Sequence, residues 1–259
     1  MKLLILGGTY EARQLALRLK DDARFDATMS LAGRTLNPRA IPISSRVGGF
    51  GGVSGLCNWL KFNAIDAMID ATHPYAAQIS TNAVEAADAL RMPLFSVSRA
   101  PWLRHDEDQW IDVSSAVDAA LALPRVRNTV LLTVGRLELS AFSAQGNHRF
   151  IARTIDPVGM VALPSDILLI QEQGPFTVDS EIGLLKQHCV DILVSKNSGG
   201  THTYAKIVAA RALKLPVIMI ARPVKPTGAE LGSIDDAITW LETLDAGHER
   251  PRSRSDRGV

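Results

Sequence analysis

Two cysteines in 259 residues, Cys57 and Cys189, are too few for a disulfide framework. They stand far apart without metal-ligand spacing, so two buried free thiols in a reducing compartment are expected, and no bound metal. The formal net charge is only +1. Such a balance gives no electrostatic footprint for nucleic acid or a membrane surface, and neither is expected as a partner. No apolar run reaches the roughly 18 residues of a membrane span. Met1-Lys2 leads straight into an apolar segment, leaving no room for a leader peptide, so the expected location is cytoplasmic. Neither a G-x-S-x-G elbow nor a G-x-x-x-x-G-K-[ST] loop occurs, which counts against hydrolase and NTPase chemistry.

What is present is an α/β pattern. Hydrophobic residues make up 46% and charged residues 21%, the balance of a soluble globular chain. Short apolar runs at 2–6, 27–32, 64–70, 94–98, 110–113, 129–134, 150–154, 167–171, 191–195 and 217–221 read as strands. Helical periodicity fills most gaps, for example 75–90, 178–188 and 203–213. This alternation predicts parallel sheets with helices on both faces. The two halves echo each other. Ala89-Leu90-Arg91-Met92-Pro93 and Ala212-Leu213-Lys214-Leu215-Pro216 each precede a strand ending near Arg99 or Arg222, and a helical stretch follows each (114–123 and 233–244). The reading is two Rossmann-like, doubly wound parallel-sheet domains with the active site in a cleft between them. The first is expected at 1–125 and the second at 126–247, with a disordered Arg-rich tail at 248–259. A further likeness, Thr72-His73-Pro74-Tyr75-Ala76 with Thr201-His202-Thr203-Tyr204-Ala205, is out of phase with the strand alignment and reads as coincidence.

The opening segment carries the most information. Leu3-Leu4-Ile5-Leu6 runs into Gly7-Gly8-Thr9, and a helix begins at Tyr10-Glu11-Ala12. A strand that turns through glycine into a helix exposes backbone N–H groups and the positive end of the helix dipole, which suits a diphosphate. The spacing G-G-x-x-x-A is an incomplete dinucleotide fingerprint, and an ordinary βα turn is the alternative. The second strand ends near Gly33-Arg34-Thr35 without the acid that would hold an NAD ribose. An Arg and a hydroxyl suit a 2′-phosphate, so NADPH is the expected cofactor. Gly48-Gly49-Phe50-Gly51-Gly52 is expected to approach it through its backbone.

In doubly wound sheets ligands sit beyond the carboxyl ends of the strands. Cations recur there: Arg99, Arg136, Arg153, Lys196 and Arg222. Together they suit a polyanionic small molecule, whereas each alone could be a surface ion pair. Lys196-Asn197-Ser198-Gly199-Gly200 adds an amide, a hydroxyl and a second anion-binding turn, or simply reverses the chain. Thr72 is expected to cap a helix with Pro74 in its first turn, leaving His73 and Tyr75 as possible proton donors.

Taken in order, these blocks resemble the precorrin-6A reductases of corrin (vitamin B12) biosynthesis. The blocks are Leu6-Gly7-Gly8-Thr9 with Glu11-Ala12-Arg13, Ala32-Gly33-Arg34-Thr35, Gly48 to Gly52, Asp70 to Ala76, Gly174-Pro175-Phe176, Ser195 to Gly200 and Ala221-Arg222-Pro223. The resemblance implies an oxidoreductase that passes a hydride from NADPH to a C=C bond of precorrin-6A, giving precorrin-6B, with a cobalt-containing substrate in a variant of the pathway. It implies a tetrapyrrole polycarboxylate as partner; a monomer or small homo-oligomer is expected. Gly7, Gly8, Thr9, Glu11, Ala12, Arg34, Thr35, Gly49, Phe50, Gly51, Thr72, His73 and Pro74 are then expected around the cofactor. Arg136, Lys196, Asn197, Ser198, Gly199, Gly200 and Arg222 are expected around the substrate, with His73, Tyr75 and Lys196 as catalytic candidates. The rival readings are a reductase of another conjugated polyacid and a non-catalytic NADPH-sensing module.

Overall fold

The structure, a computed structural model, describes residues 1–33, 40–228 and 230–248. The expectations for Arg34, Thr35 and residues 249–259 lie outside these. The chain opens β1 (Lys2–Leu6), α1 (Tyr10–Leu19), β2 (Asp26–Leu31), β3 (Ser44–Val47), α2 (Gly52–Phe62), β4 (Ala67–Asp70), α3 (Ala77–Leu90) and β5 (Leu94–Val97). It continues β6 (Trp110–Val113), α4 (Ala116–Leu121), β7 (Thr129–Thr133), a 3-10 helix (Arg136–Phe142), β8 (Arg149–Thr154), β9 (Ile167–Gln171), α5 (Val178–Gln187), β10 (Ile192–Lys196), α6 (Ala205–Ala212) and β11 (Val217–Ile220). It closes with β12 (Glu230–Gly232) and α7 (Ile234–His248).

Every strand pairing is parallel, and the strands form two six-stranded sheets, ordered β12-β5-β4-β1-β2-β3 and β6-β11-β10-β7-β8-β9. The α/β, two-Rossmann-unit expectation holds. Central strands are buried on both faces, as continuous apolar runs should be; Leu3 to Leu6 and Ala67 to Ile69 are at most 1% exposed. In the first unit, one face packs Leu3, Ile5 and Ile69 against α1 and α7, and the other packs Leu4, Leu6 and Met68 against α2 and α3. In the second, Leu131, Ile151 and Leu193 pack against α5 and α6.

The domain boundary differs from the expected 1–125 and 126–247. The chain leaves the first unit after Ser98 and returns at Lys225. The cause is a reciprocal exchange of sixth strands. β6 pairs with β11 (Trp110 opposite Val217), and β12 pairs with β5 (Glu230 opposite Phe95). The echo between 114–123 and 233–244 is real: they hold α4 and α7, the helices that follow the exchanged strands β6 and β12. Consecutive strands usually stay together, so a linear division is the natural reading of the sequence.

Other departures are local. β3 was silent because Ser44-Ser45-Arg46-Val47 is a mostly exposed edge strand with no apolar alternation. Cys189 is exposed rather than buried, with φ of 50° at the C-terminal turn after α5, and Cys57 is partly buried; both are free. The two Thr-His-x-Tyr-Ala segments fall in corresponding connections, β4 to α3 and β10 to α6, but start two and five residues after their strands, out of phase as expected.

Candidate active site

The β1–α1 turn has the features of an anion-binding turn. The Gly7 amide donates to the Ser30 carbonyl at 3.0 Å, which closes the turn against β2. A Cβ on Gly7 would lie 2.8 Å from Met29 Sδ, so any other residue here would require the Met29 side chain to shift. Gly8 sits at φ of 109° beside open space. Thr9 caps α1: its Oγ1 accepts from the Ala12 amide at 3.1 Å and donates to the Ala71 carbonyl at 2.7 Å. The Thr9 hydroxyl is therefore engaged. The amides of Gly8 and Thr9 make no hydrogen bond among the described residues and stand at the start of a ten-residue helix. Ala12 is fully buried and Glu11 lies in the first turn. The open cradle, the two amides and the helix start fit a nucleotide diphosphate. Thr9→Ala should lower stability by about 1 kcal/mol, measured by urea unfolding, through loss of the cap.

Beyond β4, the expected cap at Thr72 is replaced by another arrangement. α3 begins at Ala77, and Ala76 offers no side-chain cap. Thr72 turns back instead, donating its amide (3.0 Å) and hydroxyl (2.6 Å) to Asp70 Oδ1. Pro74 lies in a turn closed by the Ala76 amide on the His73 carbonyl, not in the helix. The carboxylate at the end of β4 outcompetes the helix start for Thr72. His73 and Tyr75 are half-buried with rings 5.5 Å apart, and His73 Nδ1 accepts from the Tyr75 amide at 3.3 Å.

At the β2–β3 edge, Arg46 was missed by the sequence reading. Its guanidinium donates to Ser30 Oγ at 2.7 Å and to the Gly48 and Gly49 carbonyls, and lies 4.0 Å from the Phe50 ring centroid. Partial burial holds its pKa below the ordinary arginine value. Gly51, with φ of 81°, starts α2, and Phe50 packs edge-on against Trp59. The polar-poor glycine loop is thus anchored by one cation and two rings.

In the second unit, four of the five strand-end cations are engaged. Lys196 pairs with Glu138 at 2.5 Å, and Glu138 also accepts from the Gly135 amide. Arg153 pairs with Glu181 at 2.7 Å and lies on the Phe176 face. Arg99 Nε donates to the Ser198 carbonyl. Arg222 donates to four carbonyls, those of Asn197, Ser198, Arg99 and Ala100. Asn197 exchanges two hydrogen bonds with the Trp102 backbone, and Trp102 Nε1 donates to Gly200. Asn197 and Arg222, expected to face a substrate, hold the shape of the loop 196–200. Gly199 has to be glycine there: its φ is 67°, and a Cβ would lie 2.2 Å from the Ala100 carbonyl oxygen. Arg136, at the start of the 3-10 helix, is half-exposed and makes no ion pair or hydrogen bond among the described residues.

A buried charge cluster was also missed. Lys206 is 6% exposed, its Nζ donating to the Thr203 carbonyl at 3.1 Å and lying 5.2 Å from the Trp102 ring centroid. Desolvation lowers its pKa to about 7, helped by Arg153 and Arg99 and opposed by Glu181. Glu181 is 1% exposed, and its Oε2 has no hydrogen-bond partner among the described residues. Lys206 shares a helical face with Ala209 and Ala210, and Glu181 with Leu185. A charge at an apolar-face position was the available signal.

The chain is similar to known proteins over most of its length. Residues 2–242 match the family described as precorrin-6x reductase CbiJ/CobK. A precorrin-6A reductase of Sinorhizobium sp is 43% identical over 244 residues, covering 93% of this chain and 94% of its own. A cobalt-precorrin-6A reductase of Priestia megaterium is 27% identical over 251 residues, 92% of this chain and 97% of its own. A solved structure described as CobK precorrin-6A reductase superposes with a TM-score of 0.88 at 40% identity, covering 94% of this chain and 96% of that one. This chain, with its paired parallel sheets and glycine turn, belongs to the precorrin-6x reductase CbiJ/CobK family.

Proposed function

We propose that the protein reduces precorrin-6A to precorrin-6B with NADPH, and that the first unit holds the nucleotide. The observation that carries the cofactor assignment is the β1–α1 turn, where Gly8 leaves open space before two amides at a helix start. When bound, NADPH supplies a hydride to one C=C bond of the macrocycle, and a proton completes the reduction. Gly8 and Thr9 hold the diphosphate through their amides. Gly7 and Ala12 keep α1 close to the sheet, with Glu11 in its first turn. Arg34 and Thr35, with Arg46 nearby in sequence on β3, provide the positive surroundings for a 2′-phosphate and the preference over NADH. Gly49, Phe50 and Gly51 border that end. Thr72, His73 and Pro74 border the nicotinamide ribose. His73, Tyr75 and Lys196 are the proton-bearing candidates.

In the second unit, Arg136 is the substrate-facing cation, since the other four strand-end cations have protein partners. A macrocycle rich in acetate and propionate groups needs such a donor. Arg136→Ala should raise the substrate KM about tenfold or more, the worth of a charged hydrogen bond, with NADPH affinity unchanged. An unaltered substrate KM would remove Arg136 from the site. The relatedness also favours the metal-free substrate, as 43% identity links the chain to a precorrin-6A reductase and 27% to a cobalt-precorrin-6A reductase. Purified protein should oxidise NADPH when given precorrin-6A, and more slowly when given the cobalt form. NADPH binding without turnover on either would instead identify a sensing module.

A further inference from the structure

Lys225 is the first residue of the segment that rejoins the first unit, three positions beyond Arg222. Its Nζ lies 3.0 Å from Thr72 Oγ1, 3.3 Å from Asp70 Oδ2 and 3.4 Å from the Thr72 carbonyl. All three groups are shielded: the Asp70 side chain is 2% exposed, that of Lys225 15%, and Thr72 is 8% exposed. Thr72 Oγ1 donates to Asp70 Oδ1 at 2.6 Å and lies 3.3 Å from Ser80 Oγ on α3. The intervening Ala71 carbonyl accepts from Thr9, the cap of the phosphate turn. One ammonium thus fixes a strand end connected on one side to the α1 cap and on the other to α3. Because the Thr72 hydroxyl proton goes to Asp70, its lone pairs can receive the Lys225 proton, and the hydroxyl direction is set.

We propose that Lys225 is a positioning residue for hydride transfer. It fixes Thr72 so that the 72–74 loop presents one geometry to the nicotinamide half of the cofactor. This rests on the NADPH assignment above. A purely structural role, neutralising Asp70, would also bring a lysine here, but it makes a different kinetic prediction. Misplacing a positioning loop costs up to about a hundredfold in turnover, whereas losing a structural pair costs only stability.

The test compares wild type, Lys225→Met, Lys225→Arg, Thr72→Val and the Met/Val double variant, each measured for melting temperature, NADPH Kd and kcat with precorrin-6A. Lys225→Met should lower kcat about tenfold to a hundredfold with a smaller change in Kd. Lys225→Arg should recover most of that loss. If Lys225 acts through Thr72, Thr72→Val should lose comparable activity and the double variant little more, since effects of residues acting through one contact are not additive. Should Lys225→Met fail to fold, Thr72→Val with Lys225 intact must still show the kcat loss. A Lys225→Met enzyme with wild-type kcat and a lower melting temperature overturns the proposal, as does an additive double variant. In both cases an active wild type leaves the NADPH reading standing. A wild type that neither binds nor oxidises NADPH removes both.

Discussion

Gly8→Asp should weaken NADPH binding by about a hundredfold or more while the protein still folds. A side chain at Gly8 enters the open space next to the α1 start, because among the described residues nothing beyond its chain neighbours lies within 4 Å of its Cβ. An aspartate there puts a carboxylate where the diphosphate belongs, and facing like charges cost several kcal/mol. The φ of 109° adds about 1–3 kcal/mol of backbone strain, which lowers stability without preventing folding. Gly8→Ala separates the two contributions. It carries the strain but not the charge, so its affinity should lie between wild type and Gly8→Asp. Fluorescence titration of reduced nicotinamide measures both. Equal Kd values for wild type and Gly8→Asp would place the nucleotide elsewhere.

Lys206→Met should stabilise the protein near neutral pH and lose that advantage in alkali. The unfolded chain keeps the Lys206 proton up to the ordinary lysine value of 10.5, whereas the folded chain gives it up at about 7. Between those limits the unfolded state binds more protons, so wild-type stability rises with pH. The lysine's contribution is whole above 10.5 and lost as pH falls to about 7. At about 1.4 kcal/mol per pKa unit the swing is on the order of 3–5 kcal/mol. Methionine keeps the stem packed but has no proton to lose. Urea unfolding at several pH values should therefore show the stability gap between Lys206→Met and wild type narrowing by about that amount from neutral pH to about pH 10. Parallel curves would mean that Lys206 remains charged in the fold, balanced by Glu181. The groups around it are Arg153, Arg99, Glu181 and the Trp102 ring, and two guanidiniums against one carboxylate favour the neutral amine.

The parts of this fold legible in the sequence are those governed by local rules. Leu3 to Leu6, Val130 to Leu132 and Val217 to Ile220 are buried on both faces, and their apolar runs marked them as strands. The Gly7-Gly8-Thr9 turn was legible because paired glycines directly after an apolar run mark a strand-to-helix turn. What stayed hidden depends on distant partners. The exchange of β6 and β12 leaves no mark in either segment, since each would pair equally well within its own half by sequence. Whether Arg136, Arg153, Lys196 or Arg222 faces a ligand depends on which carboxylates and carbonyls fold against it. Their positions at strand ends were readable, and their engagement with Glu138, Glu181 or the 197–200 loop was not. Asp70 belonged to a quoted motif, yet its grip on Thr72 emerged only with the geometry, and Lys225 reaches it from 155 residues away in the chain.

The central claim is that the β1–α1 turn of the first unit holds the diphosphate of NADPH. The second unit contains a corresponding turn, Gly135-Arg136, after the matching strand β7, so the alternative is concrete. A crystal structure of the protein with the oxidised nucleotide tests this most directly. The expected result is diphosphate oxygens within hydrogen-bond distance of the Gly8 and Thr9 amides, with the nicotinamide ribose beside Thr72. Diphosphate bound at Gly135-Arg136, with the first turn empty, would contradict it.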